Sequence, residues 1–259
     1  MLPPSARVGV FAPSHRFDSD RFERGLALLR AAGHEPVLAP NVHGSLRYFA
    51  GTDAERLADL VWALTDPSLD AAMMVRGGSG LGRLLPLLPN QGLVRGVHGF
   101  SDGTALHVAL WQRLGLQGVH GPVVHSLESQ GLGGFADMPG QGTGTAEGPV
   151  VGGNLCVLTS LCGTPDALRA EGCILMLEDI GEPAYKVDRM LNQLRLSGCL
   201  KGVVGVALGE FGDVEGLLDI VREHVDVPVA WGLPVGHGER NVPWRYGARA
   251  VLDRGLRWS

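Results

Sequence analysis

Only four cysteines occur in the chain, Cys156, Cys162, Cys173 and Cys199. Their spacing fits no zinc-binding pattern and their flanks are apolar, so they read as buried free thiols of a reducing compartment. The sequence lacks any run of about 20 apolar residues, which excludes a transmembrane helix. Its opening, Met1 to Arg7, has no charged start followed by an apolar run and does not read as a signal peptide. These absences predict a cytoplasmic protein with no membrane partner. A basic excess is missing as well. The formal net charge is −5, whereas phosphate binding wants a basic stripe, so nucleic acid is not expected as a partner. No His, Cys and carboxylate cluster has metal-ligand spacing. The first strand is followed by Ala12-Pro13-Ser14 rather than a G-x-G-x-x-G turn, which argues against dinucleotide binding. The chain is therefore expected to work without a metal or other cofactor. No internal repeat is present.

What is present suits a globular enzyme. Hydrophobic residues make up 45% of the 259 positions and charged residues 19%, enough for a sizeable core in one large or two modest domains. The 39 glycines exceed the usual share of about 7%. They are scattered at punctuation points and read as turns and close backbone approaches.

The first half alternates strand and helix. Arg7 to Ala12 is an apolar run that ends at Pro13-Ser14. Arg21 to Ala32 carries Phe22, Leu26, Leu28 and Leu29 at helical spacing, and Gly33 stops it. Thr52 and Glu55 have the spacing of a capping box at the head of the next helix. Leu69 to Val75 reads as a strand, Arg76 to Gly80 as a turn, Leu81 to Leu88 as a helix shortened by Pro86. Val97 to Phe100 reads as a strand and Thr104 to Leu114 as a helix. Such alternation predicts an α/β fold with a parallel sheet, its ligand beyond the carboxyl ends of the strands. Residues 128–147 are rich in Gly and polar residues without a period and read as a linker. Strands resume after it, with helices near Lys186–Leu196 and Val214–His224. The expected organisation is an N-terminal domain over 1–127, a linker over 128–147 and a C-terminal domain over 148–259.

Gly99-Phe100-Ser101-Asp102-Gly103 matches G-x-S-x-G between a strand and a helix. That is the setting of a nucleophile elbow, whose glycines permit the sharp turn that exposes the serine. A serine hydroxyl needs a base, and the base needs an orienting group. Of nine histidines, His237 lies on a Gly-flanked loop that can reach a cleft. His107 lies six residues after Ser101 on the following helix and reads as structural. Glu178-Asp179 ends the apolar run Ile174 to Leu177, a position suited to orienting a histidine.

At this point the chain resembles the LD-carboxypeptidases of the serine peptidase S66 group. The resemblance rests on seven segments in order: Val8 to Ser14; Tyr48 to Asp53 with Arg56 and Leu60; Arg76-Gly77-Gly78-Ser79-Gly80; Gly99-Phe100-Ser101-Asp102 with Thr104; Gly152 to Leu155 with Gly163-Thr164-Pro165; Leu177 to Glu182 with Tyr185, Arg189, Met190 and Leu191; and Pro234, Gly236 and His237. It implies Ser101 as nucleophile, His237 as base, Glu178 as its orienter, and the backbone N–H groups of Gly78 and Asp102 as oxyanion hole. It also implies a Rossmann-like N-terminal domain, a smaller β-rich C-terminal domain, a homodimer, and a small peptide substrate ending in a D-amino acid, such as murein tetrapeptide. A related amidase that cleaves a peptide–nucleotide antibiotic is the alternative within the family. A non-catalytic ligand-binding protein is the alternative outside it. Ser79 stands where the family has tyrosine. Ser14, Arg76, Ser79 and Arg240 lie in loops suited to substrate contact, and the sequence does not choose which grips the terminal carboxylate.

Overall fold

Strands and helices alternate through the first half of the computed structural model, which describes residues 2–259. The chain divides into two units, Met1–Gly134 and Phe135–Ser259.

In the first unit β1 (Arg7–Phe11), β2 (Glu35–Leu38), β3 (Ala71–Met74), β4 (His98–Gly99) and β5 (Val119–His120) form a parallel sheet in the order β2-β1-β3-β4-β5. Local chemistry sets the helices. Asp18 caps α1 (Ser19–Ala31) by accepting from Arg21 N–H, and Phe22, Leu26 and Leu29 form its buried face. Each such side chain contributes about 1.5–3 kcal/mol on burial. The expected Thr52–Glu55 capping box closes the start of α2 (Asp53–Thr65). The helix expected over 81–88 is shorter: α3 (Leu81–Leu84) passes into a 3₁₀ turn at Leu85–Leu87 that holds Pro86. α4 (Gly103–Leu114) ends on Gly115 at a φ of +66°, and α5 (Leu127–Gln130) follows. The strand order reverses direction between β1 and β3. Loops leaving these two strands diverge there, which opens a crevice at the carboxyl edge.

The second unit is built on one eight-stranded sheet. Its strands are β6 (Met138–Pro139), β7 (Gln141–Thr143), β8 (Ala146–Asn154), β9 (Ile174–Glu178), β10 (Gly205–Leu208), β11 (Val229–Trp231), β13 (Arg249–Leu252) and β14 (Gly255–Trp258); a two-residue strand, β12, occupies Trp244–Arg245. The order is β6-β14-β13-β8-β9-β10-β11-β7. β8 to β11 are parallel; the outer strands pair antiparallel. The two ends of this order, β6 and β7, are joined by Gly140 alone. A Cβ there would stand 2.6 Å from the Trp231 carbonyl, so only glycine lets the chain pass. α6 (Leu155–Ser160), α7 (Ala184–Leu196) and α8 (Leu217–His224) complete the unit, and α7 buries Val187, Leu191 and Leu194. The α/β fold with a parallel sheet and a second, β-rich part is the one expected.

Two expectations change. Residues 128–147 are not plain connection: the unit boundary falls inside them, and they hold β6, β7 and the start of β8. Their partners, β14 and β11, are distant in sequence, so local composition could not reveal the pairing. The cysteines are all free, but only Cys173 and Cys199 are buried; Cys162 is half-buried and Cys156 is exposed. Among the described residues no helix is long and apolar enough to cross a membrane.

Candidate active site

Three loops leave the carboxyl ends of β1, β3 and β4 in the first unit, and each brings part of the expected constellation. Ser101 follows β4 with a φ of +60°, one of three non-glycine residues at positive φ among the described residues. Backbone held there costs about 1–3 kcal/mol unless its surroundings enforce it. The enforcing contacts are visible. A Cβ on Gly99 would stand 2.7 Å from Met74 Sδ, and one on Gly103 would stand 3.0 Å from the same atom. His107 Nε2–H donates to the Gly99 carbonyl across 3.2 Å and ties α4 back onto the strand. His107 is thus structural, as read. Burial lowers its pKa to about 4, so the ring is neutral.

The loop after β3 closes on the elbow. A Cβ on Gly77 would stand 2.8 Å from Ser101 Cβ. Gly78 adopts a φ of +117°, and a Cβ there would meet His15 Cγ at 2.5 Å. A side chain is thereby barred from Gly77 by Ser101 and from Gly78 by His15. The N–H groups of Gly78 and Asp102 have no acceptor among the described residues.

In the second unit Glu178 closes β9 and is fully buried. Its Oε2 accepts from His237 Nδ1 across 2.8 Å. Nδ1 therefore carries the hydrogen, and Nε2 is the proton-accepting nitrogen of the neutral ring. Glycine makes room for this pair. Gly236 has a φ of +124°, and a Cβ there would stand 3.0 Å from Glu178 Oε2. Burial of the His237 ring lowers its pKa, but the hydrogen bond and charge of Glu178, with the charge of Asp179, outweigh it; the net direction is upward. Burial also raises Glu178, opposed by the bond to His237. The pair thus holds a proton to higher pH than a free imidazole does.

Known proteins share this organisation. The LD-carboxypeptidase N-terminal domain matches residues 8–121 and the LD-carboxypeptidase C-terminal domain matches residues 147–252. The chain belongs to the LD-carboxypeptidase family. The murein tetrapeptide carboxypeptidase of Pseudomonas aeruginosa is 34% identical over 99% of this chain and 96% of its own. The crystal structure of muramoyltetrapeptide carboxypeptidase from Oxalobacter formigenes superposes with a TM-score of 0.82 at 27% identity, covering 96% of each chain. MccF, the microcin C7 self-immunity protein, bound to glutamyl sulfamoyl guanosine, superposes at a TM-score of 0.85. That match covers 100% of this chain and 97% of MccF at 21% identity, and shows the fold alone.

Within this LD-carboxypeptidase framework the other expected residues take distinct positions. Ser14 is fully buried, and its hydroxyl donates to Asp102 Oδ2 across 2.7 Å. Arg76 is half-buried and Ser79 exposed on the loop after β3, while Arg240 is exposed in the second unit. Several supporting side chains escaped the sequence reading. Asp102 Oδ2 also accepts from Leu81 N–H at 3.0 Å, so one carboxylate oxygen links the loops after β1, β3 and β4. Burial raises the Asp102 pKa, with the Ser14 and Leu81 bonds opposing. Arg56 is buried, bonds the Pro13 carbonyl, pairs with Asp53 at 2.6 Å and lies 4.6 Å over Phe49; it fixes the loop that carries Ser14. Asp179 accepts from Asn154 Nδ2, Cys156 N–H and Ile180 N–H, which anchors the chain just beyond Glu178. No local sequence signal marks the Asp102–Ser14, Asp102–Leu81, Arg56–Pro13 and Asp179–Asn154 bonds, which span 88, 21, 43 and 25 positions. Among the described residues no group of three or more His, Cys, Asp or Glu side chains is placed to hold a metal ion.

Proposed function

We propose that this protein is a metal-independent serine LD-carboxypeptidase that hydrolyses the L,D-peptide bond to a terminal D-alanine in murein tetrapeptide. The observation that carries the reading is Ser101, held at positive φ at the head of α4, with the N–H groups of Gly78 and Asp102 lacking an acceptor among the described residues. Backbone strain of that kind persists where function requires an exposed nucleophile.

In the proposed reaction Ser101 Oγ attacks the scissile carbonyl carbon and its proton passes to His237 Nε2. The Gly78 and Asp102 N–H groups stabilise the oxyanion, each worth a factor of about 10²–10³. The carbonyl–nitrogen bond then breaks, and His237 returns the proton to the departing amine of D-alanine. Water, deprotonated by His237, cleaves the acyl-enzyme and restores Ser101. Glu178 stays ionised and stabilises the imidazolium in both halves.

The murein substrate is favoured over the antibiotic-cleaving alternative by similarity: 34% identity to the murein enzyme of P. aeruginosa against 23% to MccF of Escherichia coli. The test is direct. The protein is incubated with L,D-tetrapeptide and its D,D- and L,L-isomers, and released alanine is measured, with and without chelator. Release from the L,D-peptide alone, lost in Ser101→Ala and indifferent to chelator, supports the reading. Turnover retained by Ser101→Ala, or loss on chelation that zinc restores, refutes the serine mechanism.

A further inference from the structure

We propose that Arg76 is the anchor for the free C-terminal carboxylate of the peptide, an assignment that rests on the peptidase reading above. Arg76 opens the loop after β3. Its neighbour Gly77 lies so close to Ser101 that a Cβ there would stand 2.8 Å from Ser101 Cβ. The arginine stem therefore begins one residue from the proposed nucleophile.

Its charge is unbalanced. Arg76 makes one hydrogen bond, a long one of 3.4 Å from Nη1 to the Arg16 carbonyl, and no ion pair among the described residues. Four arginines of the same unit have carboxylate partners: Arg56 and Arg83 with Asp53, Arg24 with Glu128, Arg7 with Glu35. The groups that face Arg76 add no negative charge. Arg21 comes from α1, His15 from the loop after β1, and His125 from the turn whose N–H bonds the Val75 carbonyl at 2.9 Å. The nearby acids are committed elsewhere. Asp18 caps α1 through Arg21 N–H, and Asp102 holds Ser14 and Leu81. Burial and the charge of Arg21 both disfavour the guanidinium. Burial and the Arg76 charge lower the pKa of both His15 and His125, which favours their neutral rings, and a half-buried guanidinium that has a second arginine and no carboxylate against it gains most from an anionic ligand.

The ligand class follows from the donor. A guanidinium fork matches a carboxylate bidentately. Ser14 is removed from contention because its hydroxyl is already bonded to Asp102. Exposed Ser79 carries no charge. A carboxylate on Arg76 would place the last residue of a peptide beside the loop that also presents Gly78 N–H, which is what release of a single terminal residue requires.

The experiment separates this anchor from the reaction. The Ser101→Ala protein, which retains substrate uncleaved, is titrated calorimetrically with the L,D-tetrapeptide as free acid and as C-terminal carboxamide. The acid is expected to bind about 10–100-fold more tightly than the amide. Adding Arg76→Gln should erase that preference, and Arg76→Lys should keep part of it. Thermal midpoints confirm that each variant folds. Equal affinity for acid and amide, no affinity for either, or a preference that survives Arg76→Gln overturns the assignment. Turnover assays on wild type distinguish the two readings. A protein that cleaves no tetrapeptide yet shows the Arg76-dependent preference keeps the anchor and loses the peptidase function. One that cleaves acid and amide equally well keeps the function and loses the anchor.

Discussion

Ser14 and Asp102 lie 88 positions apart and meet through a 2.7 Å hydrogen bond in the interior of the first unit. The oxygen that accepts it, Oδ2, also accepts from Leu81 N–H. One atom thus sets the mutual position of the loops that carry the candidate nucleophile and both candidate oxyanion donors.

Because both donors use the same oxygen, Asp102→Asn can keep both bonds through its single carbonyl oxygen. It should fold with a thermal midpoint close to wild type, since the amide also removes a charge that burial disfavours. Asp102→Ala leaves Ser14 and the Leu81 N–H without partners and should cost about 1–3 kcal/mol. Its kcat should fall by up to about 10²-fold as the oxyanion donors drift. Steady-state kinetics and thermal melts of the pair check this. Equal losses in both variants would show that the hydrogen bonds are not the operative feature.

Ser101 offers a test of strain. Ser101→Ala and Ser101→Gly should both abolish turnover, but they should differ in stability. Alanine at a φ of +60° carries the same Cβ penalty as serine, whereas glycine adopts that angle freely. The glycine variant should melt above the alanine variant, by about 1 kcal/mol or a few degrees. Equal melting would show that the elbow is relaxed.

The Glu178–His237 pair predicts the acid limb of the pH profile. Since the His237 pKa is raised in the folded protein, the limb of kcat/KM should lie above the free-histidine value of about 6.5. Glu178→Gln removes the partner charge and should shift the limb to lower pH while reducing kcat strongly. The sign for stability follows. A raised histidine pKa contributes stability fully below about pH 6.5, and that contribution is lost as pH rises through the folded value. An unchanged limb would exclude Glu178 as the orienting group. Asp179 and Glu182 are poor substitutes, because Asp179 is held by Asn154, Cys156 and Ile180, and Glu182 by Lys186 at 3.0 Å.

Two buried histidines of the first unit predict acid lability. Burial lowers His98 to about 3 and His107 to about 4, while the unfolded chain titrates near 6.5. Between those values the unfolded state binds more protons. Stability is therefore complete above about pH 6.5 and is lost as pH falls toward 4. His98 has no partner for either ring nitrogen among the described residues. His98→Leu should stabilise the fold by about 1 kcal/mol at pH 7, and by more at pH 5. Melting curves across this range decide it; a loss of stability at pH 5 would mean that packing outweighs the orphaned nitrogens.

The sequence by itself determined what is local. The capping box at Thr52 and Glu55, the strand–helix alternation and the elbow at Gly99 to Gly103 were legible because each depends on residues a few positions apart. Family resemblance singled out Glu178 and His237, but their bond spans 59 positions. Only the fold decided that Glu178 outweighs burial in setting the His237 pKa, since both effects depend on distance and solvent exclusion. Likewise, nothing local marked the Asp102 side chain as the tie between three loops, the missing counterion of Arg76, or the pairing of β6 and β7 inside a glycine-rich stretch. Hydrogen bonds and charges between distant segments are created by the packing, and composition carries no trace of them.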